Sequence, residues 1–384
     1  MVDLDPRSRW KVHASAGRRR NQKERTAMDA KHLQQTIESI IDSGIIGVTA
    51  RVTDAHGEWT GSAGAAALGA DAKPPVDGHI RIGSNTKTFT ATMVLQLVAE
   101  GRLGLDDPVA AHLPEFGVDA RITVRMLLQQ TSGLFNFTGE VYEDGSIVLG
   151  VPVPYGPGGE AWLDDRFKSY RPQELAELAL ARPPRFAPGE GWSYSNTNYV
   201  LARLLIERVT GRSVQAELER LVLAPLGMAH TVVPTDAEIA EPHARAYYRN
   251  GEDTVDVTRQ NPSWVSAGGD MISTTADLRT FIAALTGGDL LPAELREEMF
   301  TPRPTGIPGM DYGLGVFVLT TADGATVISH NGASVGHAAL MYAAPDGSKT
   351  LTAALNCVDD ANLTVAAAFK GAQQRLLETV FGAA

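Results

Sequence analysis

Cysteine is almost absent from this 384-residue chain. Cys357 stands alone, so no intrachain disulfide can form and no cysteine pair can hold a metal. Its neighbours Leu355, Asn356 and Val358 read as the end of a strand, which makes it a small buried residue rather than a reactive thiol. No apolar run reaches the roughly 18 residues that span a bilayer. The nine histidines include no His-Glu-x-x-His spacing, which argues against zinc. No Gly-x-x-x-x-Gly-Lys-Ser/Thr loop offers a nucleotide site, and no Gly-x-Ser-x-Gly elbow points to an α/β-hydrolase. Positive charge is also short: the formal net charge of -11 repels nucleic acid and anionic membranes. Neither metal nor cofactor is predicted.

The remaining composition is that of an ordinary globular protein, 43% hydrophobic and 21% charged, long enough to bury a large core. Residues 1–27 are polar and basic around Arg18-Arg19-Arg20, and no apolar stretch follows Arg20 or Met28 as an export signal requires. They are expected to form a disordered basic tail, with Met28 as an alternative start. The protein is then expected to stay in the cytoplasm, secretion requiring a different start.

Leu33, Ile37, Ile40 and Ile41 recur at helical spacing over residues 30–43. Residues 45–53 and 58–63 read as strands joined at His56-Gly57. Residues 84–104 predict an amphipathic helix with Phe89, Met93, Val94, Leu97 and Val98 on one face. Helical signals then dominate, at 171–181, 196–210 and 213–226. After residue 260 come a helix over 276–285, capped by Ser273 or Thr274, and strands at 314–319, 326–329, 337–343 and 350–356. A last amphipathic helix runs through Phe369, Leu376, Leu377, Val380 and Phe381. Two strands alone are marginal, so the opening hairpin must pair with the C-terminal strands. The expected fold is α/β: an antiparallel sheet flanked by N- and C-terminal helices (28–80 plus 265–384) with a mostly helical insertion (81–264).

Three short motifs carry chemistry. Ser84-Asn85-Thr86-Lys87 opens the 84–104 helix, where positions i and i+3 share a face, so Lys87 can reach the Ser84 hydroxyl. A serine is a weak nucleophile until a base takes its proton, and free backbone N–H groups at a helix start favour developing negative charge. The same pattern at Ser8–Lys11 lies in the polar tail and serves as a decoy. Tyr194-Ser195-Asn196 follows a Pro-Gly loop and precedes a helix; a cation lowers the titration of a nearby phenol, so a tyrosine facing the lysine can exist partly as phenolate and serve as a base toward Ser84. Its decoy, Tyr248-Arg249-Asn250-Gly251, reads as an Asn-Gly hairpin turn. His330-Asn331-Gly332 closes the 326–329 strand, Gly332 lets a substrate lie against the backbone, and the Ala333 N–H can join that of Ser84 in an oxyanion hole. Taken singly these motifs also describe a solvated helix start, a packed tyrosine beside an Asn cap, and a surface histidine in a turn. Together they sit at element boundaries that a cleft between the two parts can gather.

With these motifs in place the sequence resembles the serine β-lactamase and penicillin-binding protein family, on the branch of class C β-lactamases and secreted DD-carboxypeptidases of actinomycetes. Supporting stretches are 81–89, 122–134 (ITVRMLLQQTSGL), 188–199 (PGEGWSYSNTNY), 263–278 (SWVSAGGDMISTTADL) and 312–315 (YGLG). The resemblance implies that Ser84 is acylated, Lys87 shares its proton, Tyr194 is base or proton shuttle, and Asn196 binds the substrate amide. It places His330 where many relatives carry Lys, and Tyr142 and Trp264 where carboxypeptidase relatives have pocket aromatics. Carboxypeptidase relatives hold the terminal carboxylate with an Arg on the strand before the His motif and with nearby hydroxyls. Here that strand reads Val316-Phe317-Val318, and the hydroxyl positions are Asn331 and Ala333.

The expectation is therefore a DD-peptidase-like or β-lactamase-like serine hydrolase acting on a peptide or small-molecule acyl substrate. The apolar Phe317 and the missing signal favour an intracellular esterase, amidase or peptide thioesterase of the same fold as the first alternative. A non-catalytic penicillin-binding sensor is the second. Whether Lys87 or Tyr194 is the resting base is left open.

Overall fold

The computed structural model describes residues 29–382 apart from 42 and 143. The basic tail and its Ser8–Lys11 decoy therefore lie outside the described residues.

Helix α1 (Ala30–Ile41) starts where the Asp29 carboxylate accepts the His32 N–H at 3.0 Å, and it buries Leu33, Ile37 and Ile40. Strands β1 (Gly47–Asp54) and β2 (Gly57–Gly64) form the expected hairpin. Near the other end come β3 (Arg303–Ile307), β4 (Met310–Tyr312), β5 (Phe317–Thr320), β6 (Thr326–Ser334), β7 (His337–Ala343) and β8 (Thr350–Asn356). The hairpin finds its partner in β8: Gly47 pairs with Asn356 and Thr53 with Thr350. One antiparallel eight-stranded sheet results, in the order β2-β1-β8-β7-β6-β5-β4-β3. The predicted α/β class, with the two ends of the chain in one sheet, is what the structure has.

Both faces of that sheet are covered, and strand periodicity sorts the side chains between them. Leu340 and Tyr342 of β7 pack with α1 and with the last helix, Ala366–Phe381, whose Leu376 and Val380 are buried. Ala339, Met341 and Ala343 point the other way, into the larger core. The helix Thr275–Gly287 lies on that side with Phe281, Ile282 and Leu285 fully buried. Its cap is Thr274, whose hydroxyl accepts the Asp277 N–H at 3.1 Å.

Two expectations are corrected here. Strand β6 does not stop at Ser329. It pairs with β7 from Ile328–Ala343 to Ser334–His337, so His330-Asn331-Gly332-Ala333 lies inside a strand. Asn and Gly look like turn residues locally, but ladder pairing overrides that preference. The second correction is the helix Thr86–Ala99 (α2), which is not amphipathic. Lys87, Thr88, Thr90 and Thr92 are as buried as Phe89 and Leu97. Its polar groups find protein partners instead: Thr88 donates to Gly315 O at 2.8 Å and Thr92 to Thr88 O at 2.8 Å.

The segment between the two halves of the sheet is mainly helical, with Pro172–Leu180, Asn196–Thr210 (α3) and Val214–Leu218 near their predicted positions. It also holds the hairpin Tyr247–Asn250 and Asp253–Asp256, which puts the second Tyr-x-Asn in a strand and turn as expected.

Candidate active site

A tight turn, Gly83–Asn85, feeds directly into α2. From Ile80 to Leu95 every residue is buried except Ser84, which keeps partial exposure. One helical turn on, Lys87 is fully buried. Its Nζ lies 3.1 Å from Ser84 Oγ, 2.7 Å from Asn196 Oδ1 and 2.5 Å from Gly268 O. Asn196 is the first residue of α3; Ser195 is the cap, so the Asn side chain is free to turn toward Lys87. Its backbone N–H donates to Asn136 Oδ1 at 3.1 Å.

Tyr194 completes the group. Lys87 Nζ stands 4.7 Å from the centre of its ring and 5.5 Å from that of Tyr199. Burial pushes the Tyr194 phenol well above its ordinary value, Tyr312 adds to this, and a hydrogen bond with Ser84 works against it. Desolvation is the largest of these effects. Lys87 moves the opposite way. Burial pulls it well below its ordinary value, and the Asp270 charge only partly opposes this.

His330 is buried within β6 rather than at its end. Its Nδ1 is 2.8 Å from Asn331 O, which fixes that nitrogen as the donor, and Nε2 faces the Tyr312 hydroxyl at 3.4 Å. Phe317 and Tyr194 flank the ring, with centres 5.2 and 6.4 Å away. Burial first, then Lys87, lowers its titration to about 3, so the imidazole is neutral.

The backbone of β6 packs on the Ser84 turn. A methyl on Gly332 would lie 1.8 Å from Ile82 O and 2.7 Å from Ser84 N. Gly83, at φ +50°, approaches Ala333 so closely that a methyl there would fall 2.6 Å from its nitrogen. Two glycines thus let the Ser84 and Ala333 segments touch.

The remaining predicted residues scatter. Asn331 pairs with Leu340 and shares its face of the sheet, so its side chain points away from His330, and its Oδ1 is buried without a partner. Strand periodicity excludes it as a side-chain ligand. Trp264 is buried in the larger core with its ring centre 6.4 Å from that of Trp162, which is the packing role. Tyr142 lies beneath the Arg185 guanidinium at 5.2 Å and lines a shallow cleft with Phe135 and Arg182.

Several supporting residues were not singled out from the sequence. Gln130, in the left-handed region at φ 65°, accepts the Ser195 N–H at 3.0 Å and the Asn198 amide at 2.5 Å. Ser132 donates to Asn198 Oδ1 at 2.6 Å. These bonds hold the Tyr194–Asn196 turn against the 130–136 loop. The only available signal was the TSGL stretch; its partners are about 65 residues away and no local pattern reveals them. Asp270 and Arg203 were missed for the same reason.

This fold, with Ser84, Lys87 and Tyr194 gathered in it, is that of the serine β-lactamases and penicillin-binding proteins. The chain belongs to the Beta-lactamase family, whose model matches residues 21–374. It is similar to a D-stereospecific amidohydrolase from Streptomyces sp., 36% identical, with a TM-score of 0.78 over 92% of this chain and 98% of that one. It is also similar to a D-amino acid amidase from Ochrobactrum anthropi SV3, 26% identical, with a TM-score of 0.75 over 91% and 98% of the two chains. Among curated proteins it resembles penicillin-binding protein 4* of Bacillus subtilis, 27% identical over 73% of this chain, and it spans 61% of that relative's length. The resemblance read from the motifs is thereby established.

Proposed function

We propose that this protein is a serine amidohydrolase that forms an acyl-enzyme on Ser84 and acts on D-configured amides without a free carboxylate. The observation that carries the reading is the hydrogen-bond box around Lys87. A neutral amine has two protons, and Gly268 O and Asn196 Oδ1 can only accept. The lone pair is left for the third neighbour, the Ser84 hydroxyl.

In the acylation step Ser84 Oγ attacks the carbonyl carbon while its proton passes to Lys87. The oxyanion faces the amides of Ser84 and Ala333. Tyr194, a neutral phenol, gives its proton to the leaving amine and is resupplied by Lys87. Water then repeats the sequence in reverse on the ester. His330, uncharged, lines the pocket and brings no positive charge to it.

Substrate class follows from charge. Strand β5 is Phe317-Val318-Leu319-Thr320, and the adjacent His330 is neutral, so neither offers a partner for a buried carboxylate. The names of the amidohydrolase and amidase relatives support an amide of a D-amino acid or peptide.

Turnover of D-phenylalaninamide, its L-enantiomer and a peptide ending in D-Ala-D-Ala tests the reading. Hydrolysis of the D-amide at least roughly tenfold faster than the other two is expected. Faster cleavage of the carboxylate-terminated peptide assigns a DD-peptidase instead. Ser84→Ala should show no covalent mass increase with an activated ester; a retained adduct on the variant moves the nucleophile elsewhere.

A further inference from the structure

Residues 266–271 form a turn whose backbone is bent at Ala267, a buried non-glycine residue at φ 53°. Such a conformation persists only where the surroundings enforce it. From α2, Thr90 donates to Ala267 O at 3.2 Å and the Thr86 hydroxyl accepts the Met271 N–H at 3.2 Å. From α3, Arg203 Nη1 reaches Ser266 Oγ at 3.0 Å and the Asp270 carboxylate at 3.5 Å. In the middle of this bracing sits Gly268, whose carbonyl touches Lys87. A methyl there would lie 2.9 Å from Asn196 Oδ1, so the turn packs directly on the base.

Asp270 is 4% exposed, and its second oxygen is buried without a partner. A buried ion pair is a weak source of stability, which asks what else it does. The groups that face Lys87 are the Ser84 hydroxyl, the Tyr194 and Tyr199 rings, His330 and Asp270. Of these, Asp270 alone brings a negative charge. Arg203, with Glu207 at 3.1 Å on its far side, faces Asp270 in turn.

We propose that Asp270 and Arg203 are positioning residues for the Lys87 base, bracing the 266–271 turn so that the Gly268 carbonyl stays on Lys87 Nζ and the Asp270 charge sits beside it. This rests on Lys87 being the base for Ser84. The pair touches no substrate; it acts through the turn and through its field. An anion near an amine favours the ammonium, so Asp270 sets how far up the pH scale the free amine begins.

The test is the pre-steady-state burst of p-nitrophenol from p-nitrophenyl acetate, followed against pH with the full chain. In the wild type the acylation rate rises with pH as Lys87 loses its proton. In Asp270→Asn the rise should move to lower pH by roughly half to one unit, and the plateau should fall roughly tenfold as the carbonyl loosens. A rise unmoved from the wild type overturns the proposal, even where the melting temperature has dropped, because that is a purely structural role. Arg203→Lys keeps the cation and loses the fork. Its rise should stay in place while the plateau falls roughly tenfold, and a wild-type plateau overturns the bracing role should Asp270→Asn fail to fold. Ser84→Ala in the same assay should give no burst; a burst there sinks the acyl-enzyme reading itself, separately from the role of Asp270.

Discussion

Lys87 and Tyr194 sit in the same dry pocket, yet burial drives them apart, because it penalises the charged form of each. For the lysine that means an easier loss of its proton, and for the tyrosine a harder one. In the proposed mechanism the two take different parts: an amine that accepts, a phenol that hands on. Tyr194→Phe keeps the ring over Lys87 and removes the shuttle. Acylation by an amide is expected to slow by about 10²–10³-fold, while the pH at which the rate rises stays with Lys87. Rate–pH profiles of both proteins check this, and a large displacement of the profile would reassign the base to Tyr194.

At the scale of the element, β6 and the turn before α2 act as one unit. Their contact depends on two positions without side chains, Gly83 and Gly332. Gly332→Ala places a methyl against Ile82 O, so one of the two backbones must move. Loss of one oxyanion donor is worth about 10²–10³ in kcat, and overpacking costs about 1–3 kcal/mol. Burst kinetics together with denaturant unfolding should show both effects; an active variant of wild-type stability would remove the oxyanion hole from this position. The same element shows why local reading ended the strand before His330. Asn-Gly composition reads as a turn, whereas the ladder to β7 and the missing side chain at 332 keep the strand running past it.

For the whole molecule, the sheet that unites the two ends of the chain also buries ionisable groups. His337 is 2% exposed, donates through Nε2 to Ala244 O at 3.0 Å, and leaves Nδ1 without a partner. Burial lowers its titration to about 4. An unfolded histidine titrates near 6.5, so between about pH 4 and 6.5 the unfolded chain binds the extra proton and stability drops as pH falls. Asp359, pushed up to about 6 by burial, works in the opposite sense at the acid end, so the comparison is best made against a variant. The stability gap between wild type and His337→Gln is expected to narrow by about 1.6 kcal/mol in all on going from pH 6.5 to 5, with the slope steepening toward the acid end. Denaturant melts at several pH values measure it; a constant gap would mean that His337 titrates normally in the folded protein.

The sequence by itself determined the α/β class, the meeting of the two termini in one antiparallel sheet, and the elements carrying Ser84, Lys87, Tyr194 and Asn196. These follow from short-range information: apolar periodicity, glycine and proline punctuation, and residues one helical turn apart. Only the tertiary structure showed that Lys87 and Tyr194 share a buried pocket, that His330 lies inside a strand, and that Asn331 points to the other face of the sheet. It alone brought Gly268 to Lys87 and Arg203 to Asp270. Proton affinity and side-chain direction depend on what surrounds a group after folding, and Lys87 is enclosed by residues 109 and 181 positions away.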